Sequence, residues 1–435
     1  MRDLVLASIL FYGIVRGAFH PWIGIMFWTW VSIMSPHKLS WALTNQPVAF
    51  AVAVSILVGL IITRDKRKFV VTSEVKALFM FMFWILCVTY PMSIYMDKSH
   101  DLWNKVWKVD LMILVAIALL HTRAQIITLV WVIAFSIGFY GFKGGLFTLA
   151  TGGSFKIWGP EGSWIEGNNE IALAMVITIP LIRFLQLQIP SKRGKQFCSL
   201  WMALTAIAAL GSHSRGALLA IGAMAFVMWL RSEKKGGMGV YIAIGSVFIM
   251  LFMPKEWTER MHTVETYDKD ASAMGRINAW IMCYRLALDH PFVGGGFSIY
   301  EPSLFALYAP DPLDLHVAHS IYFSVLGEHG FVGLFLFINL WWQVWRSAGK
   351  LHKEERSAEP TRWVADLAAM CQVSLAGYAV GGAFLSLAYF DLPYNVLVLI
   401  VVSRRWVHEK GWETEPPLTG RLAPLWGAMG VGRRK

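Results

Sequence analysis

Apolar runs alternate with short polar connections along almost the whole chain, and the length of those runs decides what they form. Runs of about 17–25 apolar residues are long enough to cross a hydrocarbon core as helices. On that criterion spans are expected at 47–63, 76–95, 107–121, 124–140, 170–189, 196–211, 215–231, 238–253, 318–346, 363–387 and 390–404. Two shorter pieces precede them, Leu4 to Val15 and Trp22 to Met34. As helices each reaches only ~18–20 Å, short of the ~30 Å core. Either they form one broken span, giving twelve crossings with both termini inside, or they cross separately and give thirteen. Twelve is the expectation, for an all-α, polytopic membrane protein.

The connections orient the spans. Short loops rich in Lys and Arg stay on the cytoplasmic side, and every second connection here is basic: Arg64 to Lys68, His121 to Arg123, Lys192 to Lys195, Arg231 to Lys235, Arg346 to Arg362, and Arg404-Arg405 with the tail. The others then face outward: Asp97 to Lys108, Gly141 to Glu170, Gly211 to Ser214, the long segment Pro254 to Val317, and the turn at Tyr389. This divides the chain into one transmembrane domain, 1–408, that includes the outward segment 254–317, and a cytoplasmic tail, 409–435. The tail's prolines and glycines predict disorder.

Composition agrees with the pattern. Of 435 residues 56% are hydrophobic and 15% charged, and the mean hydropathy is +0.51, too apolar for a protein with a wholly aqueous surface. The net charge of +11 follows from the basic inner loops, so no nucleic-acid partner is needed to explain it. The first apolar piece runs on without a small-residue cleavage site, so no removable signal peptide is expected. Cys87, Cys198 and Cys371 fall in spans and Cys283 stands alone in the outward segment, so neither a disulfide nor a metal-ligand spacing is predicted. No phosphate-cradling glycine loop and no hydrolase-type serine motif occurs. A substrate that arrives already activated, within the membrane, fits such a chain better than nucleotide-dependent chemistry.

The outward segment carries the chemistry. Ser272 can cap a helix that stops at about Asp289, because a residue before proline disfavours helix and His290-Pro291 follows. At 100° per residue Arg276, Trp280, Cys283 and Ala287 share one face, and Arg285 points the opposite way. Gly294-Gly295-Gly296 then lets the chain turn back toward the bilayer, where the next span opens at Ala318. Arg215 sits at another outward helix end. Arginines and histidines at span ends are either snorkelling residues or functional ones. Two guanidiniums, Arg215 and Arg276, can hold a diphosphate by paired, charge-assisted hydrogen bonds. Beside them neutral His319, of a residue type with an unperturbed pKa near 6.5, could take a proton from an attacking hydroxyl while the arginines stabilise the departing diphosphate. His316, three residues earlier, can orient it, and Ser320, Tyr322 and Trp280 are further supporting candidates. His213 and His329 are read as structural.

These residues resemble a family. Gly275-Arg276, Trp280, His290-Pro291, Gly294-Gly295-Gly296, His319-Ser320 and Glu328-x-Gly330, with Ser212-His213-Ser214-Arg215-Gly216 at a span end, are similar to the shared signature of the O-antigen ligase and O-antigen polymerase superfamily. Gly141-Phe142-Lys143-Gly144-Gly145, Trp158-Gly159-Pro160 and Asn168-Asn169-Glu170 resemble the branch of exosortase-associated O-glycosylation ligases. The resemblance implies an inverting glycosyltransferase, without cofactor, active on the periplasmic face of a bacterial inner membrane. It implies transfer of a glycan en bloc from undecaprenyl diphosphate to a hydroxyl: of lipid A core in the ligases, of a protein in the oligosaccharyltransferases, of another lipid-linked glycan in the polymerases. Arg215 and Arg276 carry over as diphosphate binders and His319 as the base. The superfamily often has Asn where this chain has Ser320.

Two other classes compete. A lipid-linked glycan transporter would also be helical with intramembrane arginines, but the internal repeats and paired broken spans expected of one are not found. A metal-dependent transferase could use Asp268-Lys269-Asp270 as a cation site. Acidic residues just ahead of a helix are equally explained by its dipole, and the two arginines already supply the charge a metal would.

Overall fold

The computed structural model describes residues 2–63, 69–231 and 271–415, with a few isolated positions between 236 and 243. The basic connection 64–68, nearly all of the expected span 238–253, the first part of the outward segment with Asp268 and Asp270, and the tail from 416 lie outside the described residues. Among the described residues every regular element is helical.

The first two pieces form a hairpin. Helix α1 (Arg2–Phe19) ends at His20, whose φ of −139° leaves the helical region, and Pro21 restarts the chain as α2 (Pro21–Met34) with its ring at a position that needs no donor. Gly13 faces Phe27 and Gly17 faces Gly24, so α1 and α2 run antiparallel, side by side. One broken span would have put them end to end; that expectation is corrected. Helix α3 (Val48–Ile62) closes the trio, with Gly59 resting on the carbonyls of Gly17 and Ala18.

The remaining helices build the main bundle. Helix α4 (Ser73–Phe83), capped by Thr72, continues through a π turn, Trp84–Thr89, and a 3-10 turn, Tyr90–Met92. Then come α5 (Met96–Leu119), α6 (Arg123–Ala150), α7 (Asn168–Gln188), α8 (Lys192–Gly211) and α9 (Arg215–Arg231). After the undescribed stretch follow α10 (Ala271–Asp289), α11 (Pro302–Tyr308), α12 (Ile321–Glu355), α13 (Arg362–Gly382), α14 (Asp391–His408) and the single turn α15 (Gly411–Thr414). Helices α6, α7 and α8 pack on one another, and α13 packs on α7 as well as on α9 and α12. Among the described residues, five helices are long and apolar enough to cross a membrane: 73–92, 123–150, 168–188, 321–355 and 362–382.

Several expected boundaries move, each for a local reason. Residues 97–108 were expected to be a connection, yet α5 begins at Met96. Its polar first turns are held by the outward segment, Lys98 pairing with Glu301 and Ser99 donating to the Phe297 carbonyl. Helix α6 runs on to Ala150 because its glycines let α8 approach: Gly141 faces Thr205 and Gly145 lies on Leu204. The expected span 363–387 ends instead at Gly382, and residues 383–390 form a loop. Ser272 lies within α10, not at its cap, whereas the stop at Asp289 before His290-Pro291 is as expected.

Helix α12 is broken in its third turn, and the break is what positions its neighbours. Gly330 adopts φ 69° and ψ −173°, far from helical values. The carbonyls of Gly327 and Glu328 accept from the N–H groups of Gly295 and Gly296 at 2.8 and 2.9 Å, and the Phe331 N–H donates to the Pro291 carbonyl at 2.9 Å. Residues 291–296 thus supply bonds that the helix gives up at the break. Only glycine fits at the contact. A Cβ on Gly294 would lie 2.5 Å from the Gly327 carbonyl oxygen, and one on Gly330 would lie 2.7 Å from the Phe292 carbonyl.

Candidate functional site

Just ahead of α12, one residue before its N-cap, the chain presents His319 in an unusual way. Its φ is +43°, a left-handed conformation that is uncommon outside glycine and gathers at functional positions. The geometry is enforced from both sides. On one, Ser320 is the N-cap of α12, buried, its hydroxyl accepting from the Phe323 N–H. On the other, the indole N–H of Trp280 donates to the Ala318 carbonyl at 2.6 Å while its ring stacks on Phe323 at 4.9 Å. The His319 side chain remains about a third exposed, at 32%.

Its partner comes from a distant part of the sequence. Nδ1 of His319 stands 3.6 Å from Oε1 of Glu170, too long for a hydrogen bond but close enough for a charge to act. Glu170 lies in the first turn of α7 and its carboxylate fills the space over Gly167. The same turn is tied to Ser212-His213-Ser214-Arg215-Gly216 by the Asn168 side chain, which donates to the Ser212 carbonyl at 2.8 Å. His213 is buried and bonds the Gly153 carbonyl at 2.7 Å, the structural role expected for it.

The helix segments that bear the two arginines lie against the chain around this place. Arg215 is the first residue of α9, and Gly216 after it packs against Phe384. The Trp280 ring, one turn along α10 from Arg276, lies 6.3 Å from the Phe384 ring. Gly275, just before Arg276, packs face to face with the His316 ring. Both arginines are partly buried. The face predicted for α10 is correct: Cys283 and Ala287 are fully buried, while Arg285 is exposed and donates to the Tyr308 carbonyl.

The supporting candidates separate. Trp280 and Ser320 hold the backbone on either side of His319. His316 does not face it as an orienting partner: its Nδ1 is 2.6 Å from Oδ1 of Asp314. Tyr322 is directed elsewhere, its hydroxyl donating to the Ala379 carbonyl on α13 at 2.9 Å. Glu170 was missed as a site residue. The signal available was a carboxylate in Asn168-Asn169-Glu170 at the start of a span, where it also suits the helix dipole and so draws no attention.

Deeper along α12 lies a second polar group. Tyr389 donates to Glu328, and His329 Nε2 is 2.7 Å from the same hydroxyl. The hydroxyl's proton is used on Glu328, so it accepts from Nε2–H. Nδ1 lies 2.7 Å from Thr89 Oγ1, whose hydroxyl is also 3.1 Å from the Ile85 carbonyl. Beside this group is a cavity of about 290 Å³ lined by Leu102, Trp164, Ser298, Tyr300, Glu301, Val317, Ser324, Glu328, Ser386, Ala388 and Tyr389. The Tyr300 hydroxyl bonds Ser324 Oγ at 3.0 Å, and burial, with Cys283 and Glu328 nearby, pushes its pKa well above the ordinary phenol value. It therefore stays a neutral donor.

An all-helical membrane protein with a histidine, a carboxylate and two arginine-bearing helix segments gathered at the ends of its helices is the class these observations define. Residues 200–338, which contain Arg215, Arg276 and His319, match the family model described as O-antigen ligase, and this match supports the O-antigen ligase superfamily. Residues 1–189, which contain Glu170, match a family of unknown function, DUF5935. No curated protein matches the chain. The match supports an enzyme in a bacterial membrane, acting on a lipid-linked glycan.

Proposed function

We propose that the protein is an O-antigen ligase of the exosortase-associated branch, an inverting glycosyltransferase that moves a glycan en bloc from undecaprenyl diphosphate to a hydroxyl of lipid A core. The observation that carries the reading is the placement of His319, which lies inside the matched region, 3.6 Å from Glu170 and beside the helix segments that bear Arg215 and Arg276. In this reading Nε2 of His319 accepts the proton of the attacking hydroxyl, and Glu170 stabilises the imidazolium as it forms. Arg215 and Arg276 bind the diphosphate, whose negative charge grows as the glycosidic bond breaks. The arginines supply the charge for which other transferases use a cation, so the reaction is metal-independent and survives a strong chelator. The alternating basic loops support the periplasmic face of the inner membrane as the side on which this chemistry runs. The antiparallel α1–α2 hairpin favours two separate crossings at the start of the chain, the alternative that brings the count expected from the sequence to thirteen.

Deleting the gene and resolving lipopolysaccharide by gel tests the reading. Loss of all long-chain bands, with lipid-linked polymer accumulating, is the expected result. Single-repeat bands would make the protein a polymerase, and unchanged bands with lost protein glycosylation would make it an oligosaccharyltransferase.

A further inference from the structure

A carboxylate that the transfer reaction does not use lies unpaired inside the bundle. Asp391 is the first residue of α14 and is fully buried, and neither of its side-chain oxygens has a hydrogen-bond partner among the described residues. The Ser32 hydroxyl stands beside it. An ionised carboxylate buried within a membrane protein is costly unless something compensates its charge. The positive end of the α14 dipole favours the charge, but by less than that cost, and Pro393, two residues on, has no N–H to offer.

Further unpaired oxygens lie on the facing sides of the same two helices. Asn395 follows one turn along α14, on the face that carries Asp391, and its Nδ2 donates to the Asp391 carbonyl at 2.9 Å. A carbonyl can only accept, so the free end of that amide is Oδ1, which is fully buried and has no partner. Helix α2 packs against α14. On α2, Gly24 and Phe27 meet α1 and α3, and at 100° per residue Thr29 and Ser32 fall on the side turned away from those two helices. Thr29, one turn from Ser32, is fully buried and its Oγ1 also has no partner.

We infer that Asp391, Asn395, Thr29 and Ser32 hold a monovalent alkali cation between α2 and α14. Carboxylate, amide and hydroxyl oxygens are the donors that hard cations take. A single positive charge balances one carboxylate, whereas a divalent ion would leave an excess charge in the interior. Water can serve the three neutral oxygens but cannot neutralise the fourth group. The ion ties the α1–α3 trio to the start of α14, and so to the loop 383–390 that leads into it. It takes no part in the transfer step.

The test is thermal unfolding of the purified full-length protein in detergent, with NaCl or KCl replacing choline chloride at constant ionic strength. The unfolding temperature of the unaltered protein should rise saturably, by about 5 °C, in Na⁺ or in K⁺. Asp391→Asn, nearly the same shape without the charge, should abolish that rise and should unfold in choline no lower than the unaltered protein. Thr29→Val should keep the rise but need about tenfold more ion for half of it, the scale of one lost contact to a charged group. Asp110→Asn removes a buried carboxylate on α5 that also has an oxygen without a partner, and should leave the response to the ion in place. Equal unfolding temperatures in Na⁺, K⁺ and choline would overturn the inference and make Asp391 a protonated acid in the fold. A response that persists in Asp391→Asn, an unchanged ion requirement in Thr29→Val, or a response lost in Asp110→Asn would overturn it as well. None of these outcomes bears on the transferase reading.

Discussion

Two histidines ten residues apart, one just ahead of α12 and one inside it, meet opposite fates. His329, at the break in α12, is fully buried and both ring nitrogens are taken, by Tyr389 and by Thr89. His319, just before the N-cap, is a third exposed, sits on a left-handed backbone, and faces a carboxylate at a distance that leaves its bonding incomplete. A side chain whose hydrogen bonds are all satisfied internally holds structure together. One that is held by its backbone and left short of partners is available to a substrate.

The comparison can be broken most directly at His319. His319→Ala is expected to lower turnover by about 10²–10⁴-fold, the usual contribution of a positioned base, with little change in thermal stability. His329→Ala should do the reverse. Leaving Tyr389 and Thr89 without the ring and opening a void should cost about 3 kcal/mol, read as a lower unfolding temperature in detergent, with most turnover per folded molecule retained. Equal loss of turnover in both variants would end the distinction.

Smaller effects sharpen it. Arg276→Lys should lower kcat/KM by about 10–10²-fold, because an ammonium cannot reproduce the forked contact, while Arg285→Lys on the exposed face should stay within about twofold. Glu170→Gln should lower kcat by about tenfold and leave donor KM nearly unchanged, with Glu170→Asp recovering part of the loss, as a charge acting only when the imidazolium forms requires. A Glu170→Gln variant that lost donor binding instead would make Glu170 part of the donor site.

Most of the helical pattern was legible from hydropathy, since a long apolar run has few alternatives in a membrane. The stop of α10 at Asp289 and the opposed faces of Arg276 and Arg285 followed from one proline and from 3.6-residue periodicity. What could not be read depended on contacts between distant residues. The polar first turns of α5 look like a loop until Glu301 and the Phe297 carbonyl are placed beside them. Glu170 and His319 are separated by most of the length of α7, α8, α9 and α10, and no local pattern joins them. The break at Gly330 was equally hidden, because its cause lies in the three glycines that precede α11.

That splice has a consequence for how the sequence is free to drift. The bonds joining residues 291–296 to α12 run from main chain to main chain, and Ile94 joins the same junction by donating to the Gly295 carbonyl. Phe292, which is exposed, can be exchanged without touching any of them. Insertion or deletion of a single residue anywhere between Pro291 and Gly296 would slide the whole register, moving the cavity wall at Ser298 and Tyr300 past Glu328 at a stroke. Substitutions in this stretch should therefore be common wherever there is no glycine, and changes of length should be absent.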